Sequence, residues 1–205
     1  MILVLAHAGD AIARRLATAW QARLTTPRDL STCGWRHFPV GGGDDVLGLT
    51  EGPVPAAALR GVWTRLGAVT VSDLAHIAGN DREYVAAEMT AFLLSFLRVL
   101  RCPVLNQPTA SSLMGPGWSA PRWRAAAIAA GVGVASDGIG GEAVTVVGER
   151  CFGPAHLASA AAALALHARV ELLSARFTAD GLFVDANPWG DLSDDAAAAV
   201  RRRFR

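Results

Sequence analysis

The stretch MILVLAHAGD (residues 1–10) decides the fold class of this chain. A continuous apolar run ends at Ala8-Gly9-Asp10, which predicts a buried strand followed by a helix that Asp10 caps. Apolar residues between Ile12 and Trp20 then recur at helical spacing, and a second strand is predicted over residues 30–33. The order strand, helix, strand is typical of a parallel sheet in an α/β fold.

The rest of the chain extends this pattern. Residues 107–119 are loop-like because Pro and Gly interrupt them, so we place a boundary there, between a domain of residues 1–106 and a second domain of residues 107–205. The first domain is predicted to continue with a strand at 61–65, a long helix over 81–101 and a strand at 102–106. In the second we expect helices over 119–130 and 154–168, a hairpin of 142–147 and 151–152, strands over 169–178 and 182–185, and a last helix from Ser193.

Composition excludes several classes of protein. Apolar residues make up 52% of the 205 residues, so disorder is not expected. The longest apolar stretches are too short to span a bilayer, and the first residues lack the basic leader of an export signal. Three separated cysteines without CxxC spacing argue against disulfides and a zinc site. We therefore expect a soluble, cytoplasmic protein with three buried, inert thiols.

The charges narrow the chemistry further. All 19 basic residues are arginine, so a lysine Schiff base, a lysine general base and a lysine on a phosphate are excluded. The net charge of +1 supplies no basic field for nucleic acid, and neither nucleic acid nor a membrane is an expected partner. The run Gly41-Gly42-Gly43 opens no helix and precedes two aspartates, which favours a flexible loop over a phosphate loop.

Two places carry candidate chemistry. Asp185 and Asn187 are two apart at a strand end and point to the same face, with Glu171 upstream. Such hard oxygen ligands suit Mg²⁺ and the phosphates of a nucleotide. His7 ends the first strand, where open α/β sheets bind ligands, although a structural imidazole is the alternative. No HExxH or Gly-x-Ser-x-Gly motif is present, so no catalytic residue is assigned.

Aromatic residues are the candidates for contact with a peptide or another partner. Trp118 and Trp123 flank the end of a Gly- and Pro-rich loop and the start of a helix. Tryptophan is large and amphipathic, so core packing and an interface both stay open for this pair. The further candidates for such contacts are Trp63, Arg65 and Trp189.

A set of segments occurs in one order along the chain. They are Val62-Trp63-Thr64-Arg65, a long helix with Glu88, Val104-Leu105-Asn106-Gln107-Pro108, a helix ending in Ala-Gly-Val, the hairpin VTVVGERCFG and TADGLFVDANPWGD. In this order they resemble the ATP-grasp ligases that modify peptides, including those that macrocyclise ribosomally made peptides. The likeness covers nearly the whole chain, and its most specific part, Asp185–Gly190, is similar to the family's Glu-x-Asn-Pro-x-Gly metal segment.

The resemblance implies an N-terminal Rossmann-like (pre-ATP-grasp) domain, followed by a lid and a core that hold ATP and Mg²⁺. Such ligases activate a carboxylate as an acyl phosphate and pass it to an amine or hydroxyl. Asp185 and Asn187 match metal-binding positions of the family. An upstream acid is also implied: Glu171 is close, but a register counted back from Thr178 puts Ser174 at that position.

Two parts of the machinery that the resemblance implies have no counterpart in the sequence. A lid of several tens of residues is implied between Val134 and Glu142, where the chain has only residues 135–141. The family's ATP-binding lysines cannot exist in a lysine-free chain, and arginine does not reproduce the geometry of an ammonium group. We therefore predict a truncated, lidless, degenerate relative, a pseudoenzyme in which Glu171, Asp185 and Asn187 are vestigial metal positions.

The predicted function is non-catalytic binding or scaffolding of a precursor or leader peptide, for partner enzymes that make a modified ribosomal peptide natural product. A homodimer, or a heterodimer with a similar chain, is expected because loss of the lid exposes apolar surface. No cofactor is expected. The alternative is a minimal ATP-grasp-type ligase that uses ATP and Mg²⁺, or a peptide-bond hydrolase, acting on a precursor peptide. A stand-alone α/β domain of unrelated ancestry is the third possibility.

Overall fold

A computed structural model describes residues 1–38, 44–136, 141–190 and 192–205 of the chain. They form two compact units, one of Met1–Met114 together with Arg203–Arg205 and one of Gly115–Arg202. Parallel and antiparallel sheets occur together with helices, so the fold is mixed α/β as predicted. Within these described residues, no helix is both long enough and apolar enough to cross a membrane.

The first unit is built on a parallel sheet. Its elements are β1 (Ile2–Ala6), α1 (Ala11–Trp20), β2 (Arg23–Thr25), α2 (Pro27–Cys33), β3 (Trp35–Arg36), β4 (Val46–Leu49), β5 (Gly52–Pro55), β6 (Gly61–Arg65), α3 (Arg82–Val99) and β7 (Val104–Leu105). The strand order is β2-β1-β6-β7, and each neighbouring pair is parallel. All residues of β1 are buried, and the carboxylate of Asp10 accepts a hydrogen bond from the Ala13 N–H at 2.8 Å. The predicted first strand and its N-cap are confirmed.

The strand predicted over residues 30–33 is wrong, because this segment is helical. The sequence Thr26-Pro27-Arg28-Asp29 forms a capping box, in which the Asp29 N–H donates to Thr26 Oγ1 at 3.3 Å and the Thr26 N–H donates to Asp29 Oδ2 at 2.9 Å. Proline at the first helical position reinforces this start. The second strand along the chain is instead β2, which pairs parallel with β1 and precedes the capping box.

The strands β3, β4 and β5 form a separate antiparallel sheet, which the sequence patterns did not predict. Each of these strands has only two to four residues, too few to show a clear alternation of apolar and polar positions. The predicted flexible loop at 41–43 lies outside the described residues.

The long helix α3 supplies much of the core of the first unit. Leu93, Phe96 and Leu97 are fully buried there, which confirms the predicted helix. Tyr84 and Phe92, which the apolar spacing of this helix would also place on its buried face, are exposed. The apolar stripe of α3 is therefore narrower than the sequence indicates.

The last residues of the chain complete the first unit. Phe204 is fully buried, and its ring centroid lies 6.4 Å from that of Trp20, which in turn lies 5.0 Å from that of Trp63. A β-carbon on Gly61 would lie 2.1 Å from Phe204 Cδ1. Glycine at this position of β6 is therefore what allows the ring to pack against the strand.

The second unit is built on an antiparallel sheet with the strand order β11-β10-β8-β9. Its elements are α4 (Ala120–Ala129), β8 (Glu142–Val147), β9 (Arg150–Phe152), α5 (Ala158–Ala168), β10 (Leu172–Phe177), β11 (Phe183–Asn187) and α6 (Asp194–Arg202). The predicted hairpin of 142–147 with 151–152 is confirmed as β8 and β9. The strand predicted from residue 169 begins later, because Arg169 ends α5 in the left-handed conformation (φ 54°).

One face of this sheet carries the core of the second unit. Leu173, Ala175 and Phe177 of β10 pack there with buried residues of α4 and α5. Side chains alternate along a strand, so Ser174 and Arg176 lie on the opposite face. That opposite face is where the candidate metal segment is found.

The cysteines correct one expectation. Cys33 is exposed, because it ends α2, whose buried residues are Pro27 and Leu30. Cys102 and Cys151 are partly buried, and burial raises the pKa of both thiols. Only these two fit the predicted inert thiols.

Candidate functional site

The candidate metal segment occupies the end of β11 and the turn after it. Asn187 is the cross-strand partner of Ser174 on β10, and Ser174 is the partner of Thr145 on β8. Ser174 and Thr145 are buried, and their hydroxyl oxygens lie 2.9 Å apart. The position opposite Asn187 is therefore held by a serine hydroxyl, in place of the carboxylate that the resemblance implies.

The side chain of Asn187 is used within its own turn. Its Oδ1 accepts a hydrogen bond from the Gly190 N–H at 2.9 Å. Gly190 has a φ of +64°, a left-handed conformation that glycine adopts without steric cost. The amide oxygen that the resemblance assigns to a metal thus stabilises the turn after β11 through a local bond between side chain and backbone.

Asp185 is bound to an arginine on the neighbouring strand. Arg176 is its cross-strand partner, and Arg176 Nε donates to Asp185 Oδ1 at 2.8 Å. A terminal guanidinium nitrogen of Arg176 donates to the other carboxylate oxygen, Oδ2. Both oxygens that a divalent cation would use are thus engaged by one two-pronged ion pair.

Glu171 lies apart from the other two candidates. It precedes β10, its side chain is exposed, and its backbone carbonyl accepts a hydrogen bond from the Gly148 N–H. The partner of Asp185 is Arg176, five positions further along the chain, a span of about 16 Å at roughly 3.3 Å per residue. The structure therefore does not bring Glu171 and Asp185 together.

These side chains do not fit a Mg²⁺–nucleotide site. Within the four described ranges, no group of three or more His, Cys, Asp and Glu side chains is placed to hold a metal ion. The carboxylate of Asp185 already has a cationic partner, and the chain has no lysine to contact phosphate. Of the short segment that stands where the resemblance implies a lid, residues 137–140 lie outside the described residues.

Two of the aromatic candidates are core residues. Trp63 is 0% exposed and packs against Trp20 in the first unit. Trp123 is 3% exposed and belongs to the core of the second unit. Neither indole face is available to a partner in this structure.

Trp118 and Arg122 form an accessible surface on the second unit. The Trp118 ring is partly exposed, and its centroid lies 4.8 Å from that of the buried Trp123. The exposed Arg122 places its guanidinium carbon 4.8 Å from the Trp118 ring centroid. An indole held against Trp123, with an exposed guanidinium beside it, is suited to contact a polypeptide through apolar packing and hydrogen bonds.

The remaining two candidates differ in exposure. Arg65 is largely buried, with its Nε donating to Asp10 Oδ2 at 2.7 Å and its guanidinium over the Trp63 ring. Trp189 is 43% exposed in the turn that follows β11. Arg65 thus supports the first unit, whereas Trp189 is accessible.

Arg176 is the residue of this site that the sequence patterns missed. It is the one charged residue of β10 (LLSARF), and a lone cation on a mostly apolar strand indicates a partner on a neighbouring strand. Its pairing with Asp185 also depends on a register shift between Arg176 and Phe177. A local irregularity of this kind has no sequence signature.

Solved structures similar to this mixed α/β chain define the class: the chain has the fold of the ATP-grasp ligases. The macrocyclase MdnC from Microcystis aeruginosa MRC, bound with precursor peptide MdnA, matches with a TM-score of 0.74 and 11% identity over 100% of this chain and 99% of that chain. The ATP-grasp ligase PsnB, complexed with a minimal precursor, gives a TM-score of 0.70 and 10% identity over 100% and 98%.

A third solved structure extends the likeness. It is a Chryseobacterium gregarium RiPP-associated ATP-grasp ligase in complex with ADP and a leader and core peptide, with a TM-score of 0.64 and 10% identity over 98% of this chain and 95% of that chain. No protein-family model and no curated protein matches the sequence. At identities this low the likeness establishes the fold, and it confirms the resemblance at that level.

Proposed function

We propose that this protein binds a precursor or leader peptide without catalysing its modification, and presents it to partner enzymes that make a ribosomal, modified peptide natural product. Three solved proteins with this fold are complexed with such peptides. The observation that carries the non-catalytic part is the ion pair between Arg176 and Asp185 at the candidate metal segment.

The chemistry of an acyl phosphate explains why that ion pair matters. Transfer of a phosphoryl group to a carboxylate needs cations that neutralise the phosphate oxygens and a closed site that keeps water out. Here Arg176 is bound to the Asp185 carboxylate that would hold the metal. Ser174, which has no charge, lies opposite Asn187. With Asp185 and Asn187 engaged by protein partners, peptide recognition can remain, because it needs only a surface.

The surface of Trp118 and Arg122 is the proposed peptide contact. It combines an aromatic ring held against Trp123 with an exposed guanidinium. A guanidinium binds peptide carbonyls and carboxylates through planar hydrogen bonds, and a fixed indole loses little entropy on binding. The exposed Trp189 is a second proposed contact.

Calorimetry with two ligands tests the proposal. The first ligand is the peptide encoded by a short open reading frame beside the gene, and the second is ATP with excess MgCl₂. We expect saturable binding of the peptide and no binding of the nucleotide. An absence of peptide binding would contradict the scaffold role.

Matched variants connect this binding to the surface. W118A should weaken peptide binding by about tenfold or more, because aromatic anchors dominate such contacts. The control is I128A on the same helix α4, since Ile128 is 67% exposed and lies outside the Trp118 contacts. If W118A and I128A bind the peptide with equal affinity, the peptide site does not include Trp118.

The alternative is an enzyme, either a minimal Mg²⁺-dependent ligase or a peptide-bond hydrolase. Asp185 and Asn187 keep the residue types of a metal segment, and this retention is what favours the alternative. Binding of ATP and Mg²⁺ in the micromolar range, abolished in D185N, would support the ligase. Cleavage of the peptide by the purified protein would support the hydrolase.

The proposal includes an architecture and an assembly. Residues 1–106 would form a Rossmann-like domain and residues 107–205 a lidless ATP-grasp core, and two copies, or this chain and a similar one, would associate. Loss of the lid would expose apolar surface, and self-association would cover it. Light scattering at micromolar concentration tests it, and a monomer would contradict it.

A further inference from the structure

A polar pocket lies at the carboxyl end of β1 in the first unit. His7 follows the last residue of this strand, and the pocket extends over about 480 Å³ between the turn at Gly9, the start of α2 and the segment 70–75. The carboxyl ends of parallel strands are where open α/β sheets bind their ligands. The volume is in the range of small-ligand sites.

The imidazole of His7 is held by a buried carboxylate. His7 Nδ1 lies 2.8 and 3.0 Å from the two carboxylate oxygens of Asp73, whose side chain is 7% exposed. The Thr70 N–H and hydroxyl also donate to Asp73 Oδ2, each at 2.8 Å. Hydrogen bonds from His7 and from two groups of Thr70 thus fix the Asp73 carboxylate, which in turn orients the His7 ring. Among the described residues, the His7 ring forms hydrogen bonds through Nδ1 alone, which leaves Nε2 on the ring's far side for a ligand.

A second cation lines the same pocket. Arg28 is exposed in the first turn of α2, and in the part of the chain that the structure describes its guanidinium has no hydrogen bond or ion pair. The other nearby charges already have partners: Asp10 binds Arg65, and Arg14 donates to the Ala8 carbonyl at 2.7 Å. Arg28 is therefore the uncompensated charge.

The balance of charge selects the ligand. When the His7 ring carries both protons, its charge and that of the Asp73 carboxylate cancel, and the pocket then carries the single positive charge of Arg28. One negative charge neutralises it, whereas a doubly charged phosphate would leave excess negative charge beside Asp73. A carboxylate also has two oxygens, one for His7 Nε2–H and one for the guanidinium.

We propose that this pocket binds the carboxylate of a small molecule or of a peptide side chain, with His7 Nε2 and Arg28 as the donors. The site lies outside the candidate metal segment and the Trp118 surface, so it stands or falls independently of the proposed function. Carboxylate binding needs an imidazole that carries both protons, because a neutral ring bonded to Asp73 through Nδ1–H has only a lone pair at Nε2.

Nuclear magnetic resonance of the full chain tests this assignment. The probe is N-acetylglutamate α-amide, which carries one carboxylate, and its neutral counterpart is N-acetylglutamine amide. In mildly acidic buffer we expect saturable shifts of the His7 ring nitrogens and of residues 70–75 with the first probe only. No saturable shift at tens of millimolar, or equal shifts with the neutral amide, would overturn the proposal.

Variants and a second anion complete the test. H7Q and R28Q should each weaken binding by about tenfold or more, since each removes a charge-assisted hydrogen bond. R98Q, which removes an exposed arginine of α3, is the control with unchanged affinity. Because Arg28 is on the surface, R28Q keeps the test valid even where H7Q fails to fold. Tighter binding of inorganic phosphate than of the carboxylate probe would contradict the charge argument.

Discussion

Arg176 on β10 and Asp185 on β11 face each other across the sheet, and one guanidinium engages both oxygens of the carboxylate. The two side chains are about half exposed. The pair therefore contributes little stability, because water screens an exposed ion pair. Its importance is chemical, since it occupies the acidic oxygens at the candidate metal segment.

We expect R176Q and D185N each to lower the free energy of unfolding by less than about 1 kcal/mol. The double variant should lose hardly more than either single variant, because both substitutions remove the same interaction. Urea unfolding of the four proteins measures these values. A loss above about 2 kcal/mol in either single variant would mean that the pair is a structural ion pair of the interior.

Gly61 should tolerate no side chain. A β-carbon there would meet the Phe204 ring at 2.1 Å, so G61A forces the ring or the strand to move, at a cost of about 1–3 kcal/mol. G79A is the control, because an added β-carbon at Gly79 meets no atom within 4 Å. Thermal unfolding of both variants checks the difference. Similar melting temperatures would show that Phe204 does not pack on Gly61 in solution.

The three thiols should react at different rates. Cys33 is exposed, whereas burial raises the pKa of Cys102 and of Cys151 and so reduces the fraction of reactive thiolate. Titration with Ellman's reagent should show one fast and two slow thiols in the folded protein. The fast phase should be absent in C33S, and three equal rates in the native state would contradict the burial of Cys102 and Cys151.

Asp73 should make stability depend on acid pH. Burial alone would raise its pKa, but hydrogen bonds from His7 and Thr70 outweigh burial and hold the pKa below the ordinary value of 3.8. A depressed folded-state pKa stabilises the fold above the unfolded-state value, and this stabilisation is lost as the pH falls through the folded-state pKa. D73N should therefore be less stable than the wild type at neutral pH.

The difference between D73N and the wild type should shrink as the pH is lowered from about 5 toward 2. Urea unfolding across this range measures it. The control is E88Q, which removes an exposed carboxylate of α3. A difference between D73N and the wild type that stays constant with pH would contradict the depressed pKa.

Elements with strong local signals could be predicted from the sequence. The apolar run of β1, the helix α3 and the β8–β9 hairpin are long, or end in clear turn residues, so their type follows from periodicity. Residues 30–33 show the limit. The run Leu30-Ser31-Thr32-Cys33 is short enough to be compatible with a strand, but the Thr26–Asp29 capping box upstream starts a helix.

The sequence was sufficient to predict which segment carries the candidate site, but not which side chains face each other there. Asp185 and Asn187 share a strand, so their common face follows from a period of two. Whether Glu171 lies near Asp185 depends on the register between β10 and β11. This register places Arg176 opposite Asp185 and Ser174 opposite Asn187. Register depends on turn geometry and on a local bulge, and neither is encoded in a short pattern.

The packing of Phe204 on Gly61 has a consequence for biosynthesis on the ribosome. Residues 115–202 are contiguous and contain all the strands of the second unit, whereas the first unit needs a ring that is translated after the whole second unit. The first unit therefore emerges before the second but completes its packing after it. Trp20 and Trp63 lack this aromatic neighbour until Phe204 has left the exit tunnel.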